Sequence, residues 1–287
     1  MTTTLADFRI LLSKEIGDYW AGTTTSSGSS TTVVDTALKA KNNDWISDAP
    51  QEHYDLLTSG TYSGEERKIS SLDNTSGTLT TLAHGGVVAS AVGYEVHRLF
   101  TASEKRTALI FAAKMAFPAI FKKIRNITLT VDDSIIGTGI DISTLGLFNG
   151  VPHRISEAPE ADSTDEYWYT LRNWHVESDG KLYLKEGTTG YYLKIEGIGY
   201  LDFVTTGTTT VSEAWTAVMD ISSPQTFILV AEAIVYLYTQ LSMPNFTTGD
   251  RKEFAPILEF WAKMMDYRKS KFKMMPPAAT IQYGGIW

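Results

Sequence analysis

The sequence predicts an α+β protein in which a four-helix core carries two β-rich insertions and ends in an extended C-terminal arm. Four segments place apolar residues three and four positions apart, which is the spacing of an amphipathic helix. Two long stretches between them alternate short β-prone runs with Ser, Thr and Gly turns. The predicted domains are a helical core of residues 1–21, 101–125 and 222–272, a β-module insertion of residues 22–100, a second β-rich insertion of residues 126–221, and a docking arm of residues 273–287.

The first two predicted helices each begin at a capping residue. The first covers residues 4–19, with Thr3 or Thr4 as its N-cap. The second begins after Ser103, also a good N-cap, and runs to about residue 124. Pro118 lies inside this second segment, and a proline removes a backbone donor from a helix. The sequence therefore predicts a kink in the second core helix.

The third and fourth predicted helices follow the second β-rich stretch. The third has Ser223 as N-cap and Pro224 at the first helical position, and it runs to Ser242. It is apolar almost all round, so we expect it to be buried on every side, in a core or between subunits. The fourth covers residues 250–272 and mixes an apolar face with charged ones.

Two features of the β-rich stretches make local predictions. Asp179-Gly180 separates two β-prone runs, which is a strong hairpin signal. The SSGSS tract at residues 26–30 has low complexity and predicts a flexible loop or linker.

Composition narrows the class of protein. The chain has 287 residues, a net charge of −8, a sequence pI near 5.2 and no cysteine. Disulfides and thiolate metal sites are therefore excluded, and a generalised nucleic-acid binder is disfavoured because its surface would be basic. From Arg268 onward there are four bases and no acid, so the remainder carries −12, since −8 less +4 leaves −12.

No segment predicts export or membrane insertion. The amino-terminal stretch carries Asp7 and lacks a basic region before an apolar run, so it does not resemble a secretory signal. The most apolar stretch, residues 227–238, is interrupted by Glu232, and a membrane helix needs roughly 20 apolar residues. We therefore expect synthesis in a cytoplasm and no membrane partner.

The sequence contains no convincing catalytic or metal-binding constellation. The five histidines have no ligand spacing, and they are His53, His84, His97, His153 and His175. The adjacent pair Asp132-Asp133 predicts a solvated turn, because neighbouring side chains point apart. Asp162, Asp165 and Glu166 predict a solvated polar loop, with cation binding as the weaker interpretation. We therefore predict no enzyme activity, no catalytic residue, no metal and no cofactor.

One aromatic cluster leaves two interpretations open. It consists of Tyr167, Trp168, Tyr169 and Trp174. The favoured interpretation is an inner sheet face with an interface, and the alternative is a sugar-binding platform.

A resemblance to phage virion proteins supplies a setting. The chain carries a Ser/Thr-rich run followed by Val-Asp-Thr-Ala-Leu, then a Trp, then T-S-G-x-x-x-G-E-x-R-x-I, then T-S-G-T-L-T. These parts are residues 31–38, Trp45, residues 58–69 and residues 75–80. They resemble a β-module of virion proteins in tailed phages.

The flanking architecture is similar to that of head–tail adaptor proteins, also called neck or connector proteins. The matching parts are the first helix, the helix before the second β-rich stretch, the motifs R-x-W-x-V and G-K-L-x-L, and two C-terminal helices with a basic tail. In this sequence they are residues 4–19, 103–124, 172–176, 180–184 and 224–272.

The resemblance implies a structural virion protein without an active site. It would form a dodecameric homo-oligomeric ring beneath the portal protein, around the DNA channel in the virion neck. Its partners would be the portal, further neck or tail proteins, and passing double-stranded DNA that it does not read. The alternatives are another tail, baseplate or decoration protein, or a carbohydrate-binding virion protein.

The C-terminal arm is the predicted portal-docking site. In adaptors of this type the tail extends into the portal, and Met and Trp are suitable apolar anchors. The predicted docking residues combine bases with large apolar side chains, and they are Lys271, Lys273, Met274, Met275, Ile281, Tyr283, Ile286 and Trp287. We expect the chain to form a ring with portal, and the all-apolar third helix motivates this expectation.

Overall fold

The computed structural model describes residues 2–47, 52–132, 138–162, 167–243 and 254–276. The chain divides into two compact units. Unit 1 comprises Met1–Met115 and Phe203–Lys271, and unit 2 comprises Ala116–Asp202 and Phe272–Trp287. Both units contain antiparallel β-sheet.

Unit 1 contains a seven-stranded antiparallel sheet and a separate two-stranded pair. Its strands are β1 (Thr3–Thr4), β2 (Trp20–Thr23), β3 (Ser26–Ser29), β4 (Thr32–Val34), β5 (His53–Leu57), β6 (Glu66–Asp73), β7 (Thr78–Thr81) and β8 (Gly93–His97), with β16 (Val218–Met219) late in the chain. The sheet order is β2-β8-β5-β6-β7-β4-β3, and β1 pairs with β16. Aliphatic and aromatic side chains from this sheet form one core cluster, which includes Val33, Leu57, Leu79, Tyr94 and Val96.

The residues of the β-module motifs hold this sheet together. The Asp35 carboxylate accepts hydrogen bonds from the Ala37 N–H and the Tyr94 hydroxyl, at 2.9 and 3.0 Å. Gly77 has a φ of +73° and lies against the Asp35 carbonyl, where a side chain would clash. Glu65 accepts hydrogen bonds from the Gly85 N–H at 3.0 Å and from the Arg67 guanidinium at 3.1 Å. The motif residues therefore act as fold determinants.

The described residues form five α-helices. They are α1 (Leu5–Glu15), the short α2 (Asp44–Ser47), α3 (Ala102–Met115), α4 (Thr226–Ser242) and α5 (Ala255–Phe272). The predicted cap of the first helix is confirmed, because the Asp7 N–H donates to the Thr4 hydroxyl at 3.0 Å. Helices α1, α3 and α4 pack against one another within unit 1.

The predicted four-helix core is wrong. Sixteen strands in four sheets lie in the described part of the chain, so the protein is rich in β-structure rather than a helical core with insertions. Only three long helices pack together, and Trp261 is the one residue of α5 that is buried. Periodicity predicted where helices form, but it could not show that the fourth has too few inward apolar residues to complete a core.

Two further local predictions fail for identifiable reasons. The second predicted helix ends at Met115, before Pro118, and the following residues enter strand β9 (Lys122–Thr130). Its cap is Thr101, whose hydroxyl accepts a hydrogen bond from the Glu104 N–H at 3.0 Å. The Ser-rich tract predicted as a loop forms the edge strand β3, paired with β4.

Unit 2 contains two antiparallel sheets. Its remaining strands are β10 (Ile140–Asp141), β11 (Arg154–Ala158), β12 (Tyr169–Leu171), β13 (Trp174–Val176), β14 (Lys181–Leu184) and β15 (Tyr192–Gly199). The sheets have the orders β12-β11-β15-β9 and β10-β14-β13, and their apolar faces share one core cluster. The predicted hairpin is confirmed, since β13 pairs with β14 and Gly180 has a φ of +77°.

Candidate functional site

Helix α5 is attached to unit 1 by one of its faces. Trp261 is 7% exposed, and the Arg268 guanidinium lies 5.5 Å from the centre of its ring. Arg268 also donates to the Glu15 carboxylate at 2.8 Å and to the Phe227 carbonyl at 3.2 Å. The next residue, Lys269, forms an ion pair with the nearly buried Glu232 of α4. Charged contacts therefore supplement a small apolar contact and fix the orientation of α5.

An adjoining face of α5 presents a row of apolar side chains to solvent, which we call the assembly stripe. It consists of Ile257, Phe260, Met264 and Tyr267. Ile257, Phe260 and Tyr267 are 38%, 54% and 52% exposed, and Met264 is half-buried. The spacing of three, four and three places all four on one side of the helix. A contiguous apolar row on the surface of a folded protein commonly marks an interaction site.

Two side chains of the stripe are positioned by neighbouring residues of α5. The Phe260 ring meets the Trp261 ring edge-on at 5.5 Å between centroids. Lys271, one helical turn after Tyr267, donates to the Tyr267 hydroxyl at 2.8 Å. An interface built on a fixed helix loses less side-chain entropy on binding than one built on a loop.

The predicted docking arm is described only in its first part. The Lys271 side chain is exposed near the carboxyl end of α5, and the Lys273 side chain is also exposed. The Met274 N–H donates to the Ala119 carbonyl at 2.8 Å, whereas Met275 is 79% exposed. The other four predicted docking residues lie outside the described residues, and they are Ile281, Tyr283, Ile286 and Trp287. The docking role of the arm stays a prediction.

Helix α4 is packed mainly within its own unit, and the subunit contact that its composition suggested stays a prediction. Ten of its residues are buried, and it packs on α1 and α3 of the same unit. Its all-round apolar character is therefore accounted for within the chain. A row of exposed apolar side chains lies on the next helix, α5.

A groove lies between α3 and α4, which belong to the same unit. It has a volume of about 350 Å³. Its apolar lining is formed by Phe100, Leu237, Leu241 and the Tyr236 ring, and its polar lining by Ser103, Glu104, Thr107 and Gln240. Sequence patterns did not indicate this groove, because it depends on how two helices pack.

Sequence reasoning also missed a buried charge network in unit 1. Lys105 is fully buried and donates to Asp18, Ser13 and the His97 Nδ1, at 2.8, 2.9 and 2.8 Å. Burial lowers the pKa of Lys105, although Asp18 opposes the shift. Burial also lowers the pKa of His97 well below its usual value, and Lys105 adds to the effect. His97 is therefore a neutral acceptor that helps to join α1, β8 and α3.

A second buried cluster holds the loop after β7. His84 Nε2 lies 3.1 Å from the Asp55 carboxylate, and its Nδ1 lies 3.4 Å from the Glu65 carboxylate. Burial raises the pKa of Asp55. The available signal for the second cluster was Asp55 within the apolar run of β5, whereas Lys105 lies between the charged residues Glu104 and Arg106 and gave no signal.

The other candidate residues do not assemble into a catalytic site in the described structure. His53, His84 and His97 are buried, His153 is half-buried and His175 is exposed. Asp132 and Asp162 are exposed, whereas Asp133, Asp165 and Glu166 lie outside the described residues. Among the residues that are described, no group of three metal-ligating side chains could hold a metal ion.

The aromatic cluster in unit 2 is divided between core and surface. Trp168 and Trp174 are 8% and 6% exposed, and Trp168 stacks under the Lys194 ammonium at 4.5 Å. Tyr167 and Tyr169 are 58% and 63% exposed. Two tyrosines are therefore the only members of this cluster with rings available to a ligand.

Comparisons with known proteins identify no relative. No family model, no curated protein and no solved structure matches this chain. Within the described ranges, none of the helices has the length and apolar character needed to span a bilayer.

Proposed function

We propose that this chain is a structural virion protein, a head–tail adaptor that forms a ring with the portal protein around the DNA channel. The observation that carries the proposal is the assembly stripe, because it is an apolar helix face that the described residues leave exposed. The β-module and adaptor-like motifs in the sequence supply the phage setting.

The two faces of α5 support a role in assembly. One face is fixed within unit 1 by Trp261, Arg268 and Lys269, so the exposed face is presented by an anchored helix. Burying Phe260 or Tyr267 at an interface would contribute roughly 1.5–3 kcal/mol per side chain. Aromatic residues are also enriched at the centres of protein interfaces.

The charge of the chain supports a position around DNA without tight binding. Its net charge is −8, and phosphate contacts from many bases would hold DNA in place. A mainly acidic wall lets DNA pass. Lys271 and Lys273 are the basic residues of the predicted docking set, which we propose binds the portal.

Cross-linking of purified phage particles followed by mass spectrometry tests this function. We expect cross-links between this chain and the portal protein, with lysines of the arm such as Lys273 among them. Negative-stain images of the chain with its portal should show a ring. Cross-links confined to capsid-surface or fibre proteins would contradict the adaptor role.

A second candidate function is carbohydrate binding by unit 2. The observation that favours it is the pair of exposed tyrosines, Tyr167 and Tyr169, since aromatic rings offer apolar faces to ligands. Under this hypothesis, changing both to alanine abolishes retention on host polysaccharide. Changing Tyr200, which is 46% exposed elsewhere in unit 2, should leave retention unchanged.

A further inference from the structure

The groove between α3 and α4 has no side chain of the described residues filling it. Its floor is apolar, formed by Phe100, Leu237 and Leu241. At one end the Phe111 ring, 45% exposed, packs against Tyr236 at 4.7 Å. Met115, 51% exposed, extends the apolar surface by one further turn of α3. A surface of this kind suits the apolar face of another helix.

The assembly stripe and the groove have matching lengths. From Ile257 to Tyr267 the stripe spans about 15 Å, at 1.5 Å per residue. On α3 the groove is lined from Ser103 to Thr107, about 6 Å by the same rise, and the exposed Phe111 and Met115 continue the apolar surface to about 18 Å from Ser103. All of the apolar anchors of the stripe can therefore lie along the groove and its apolar continuation.

The charges at the ends of the two surfaces are complementary. Glu104 lies at the end of the groove where α3 begins, and Glu66 binds the first N–H groups of that helix. The carboxyl end of α4 lies at the same end, because Gln240 and Leu241 line the groove beside Ser103 and Glu104. The positive dipole end of α3 and the negative dipole end of α4 offset each other here, so the negative charge of this end comes from the Glu104 carboxylate. The basic residue Lys271 follows the stripe, one helical turn after Tyr267.

We infer that the assembly stripe of one copy packs into the α3–α4 groove of a second copy of this chain, with Lys271 at the Glu104 end. This inference rests on the proposed function and names the surfaces by which the ring closes. The two surfaces differ, so each added copy leaves one stripe and one groove free. Repetition of such a head-to-tail contact generates a ring when its rotation closes.

The absence of cysteine makes a direct test possible, because any introduced thiol is unique. One variant carries Phe260→Cys in the stripe, and a second carries Thr107→Cys in the groove. Both sites are exposed, so both full-length chains should fold. A short bis-maleimide is added to each chain alone and to their mixture, at a concentration where the wild-type chain is oligomeric.

The inference predicts a cross-linked pair in the mixture and none with either chain alone. A chain carrying both changes should give a ladder of cross-linked species. The matched control is Val211→Cys, 63% exposed and away from both surfaces, which should not cross-link to Thr107→Cys. Orientation is tested by Ile257→Cys, which should link to Phe111→Cys and not to Glu104→Cys.

Other outcomes overturn the inference. A cross-link in Phe260→Cys alone means that two stripes meet across a two-fold axis. No cross-link in the mixture, or a chain that stays monomeric at its highest soluble concentration, also rules out the contact. The proposed function fails separately, when particle cross-linking places the chain away from the portal.

Discussion

Helices α4 and α5 follow each other in the chain and are similar in length, yet they are stabilised in opposite ways. Ten residues of α4 are buried against α1 and α3, whereas α5 buries Trp261 alone and depends on ion pairs through Arg268 and Lys269. Most apolar residues on α4 therefore serve folding, whereas most of those on α5 are available to a partner. The comparison teaches that apolar content alone does not distinguish a core helix from an assembly helix.

The largest effect is expected from removing the arm. Truncation after Phe272 should leave the subunit folded, because all described helices and strands precede that point. It should weaken portal docking by several orders of magnitude, since Trp287 and the two methionines should each contribute roughly 1.5–3 kcal/mol before ordering costs. Circular dichroism and melting check the fold, and particle assembly checks docking. Filled heads with normal tails from the truncated protein would show that the arm is dispensable.

A cavity made in α4 tests whether its buried apolar residues stabilise the fold. Leu229 is fully buried, so Leu229→Ala should lower the free energy of unfolding by about 2–5 kcal/mol. Urea denaturation followed by circular dichroism measures this change. The control is Ile257→Ala on α5, for which we expect a change within about 0.5 kcal/mol because the residue is exposed. Equal losses in both variants would mean that α5 belongs to the core.

Shortening one side chain on α5 tests whether its exposed apolar residues serve assembly. Phe260→Ala should keep the wild-type melting temperature and weaken self-association by about 1.5–3 kcal/mol, which is roughly tenfold or more. Analytical ultracentrifugation of the full-length chain provides the measurement. The matched control is Tyr169→Ala, an exposed aromatic in unit 2, which should not change association. Unchanged association of Phe260→Ala would remove the stripe from the interface.

The smallest effect concerns pH. Because the pKa of His97 in the folded chain lies well below 6.5, the unfolded chain binds a proton that the folded chain does not. Stability is therefore fully present above about pH 6.5 and falls as the pH drops below it, by at most about 1.4 kcal/mol per pH unit. Thermal melts from pH 7.5 to 5.5 should show this loss, and His97→Gln should reduce it. The stripe carries no histidine, so association should change less than stability over this range.

The candidate site could be predicted only in part. The helical spacing of Ile257, Phe260 and Tyr267 is visible in the sequence, but so is that of Trp261 on the other face. A sequence pattern does not distinguish two apolar faces from one broad face unless the neighbours of the helix are known. Similarly, Lys105 and Arg9 resemble surface residues in composition, and only packing shows that both are buried with partners.

Local chemistry in the sequence determined several parts of this protein. The Thr4 cap, the Asp179-Gly180 hairpin and the presence of α4 follow from short-range backbone and side-chain preferences, which act over a few residues. Only the tertiary structure decided that the helices do not form a four-helix core, that α4 is covered by its own unit, and that α5 keeps one apolar face exposed. The reason is that burial depends on contacts between residues far apart in the chain, and these contacts are not encoded in any single segment.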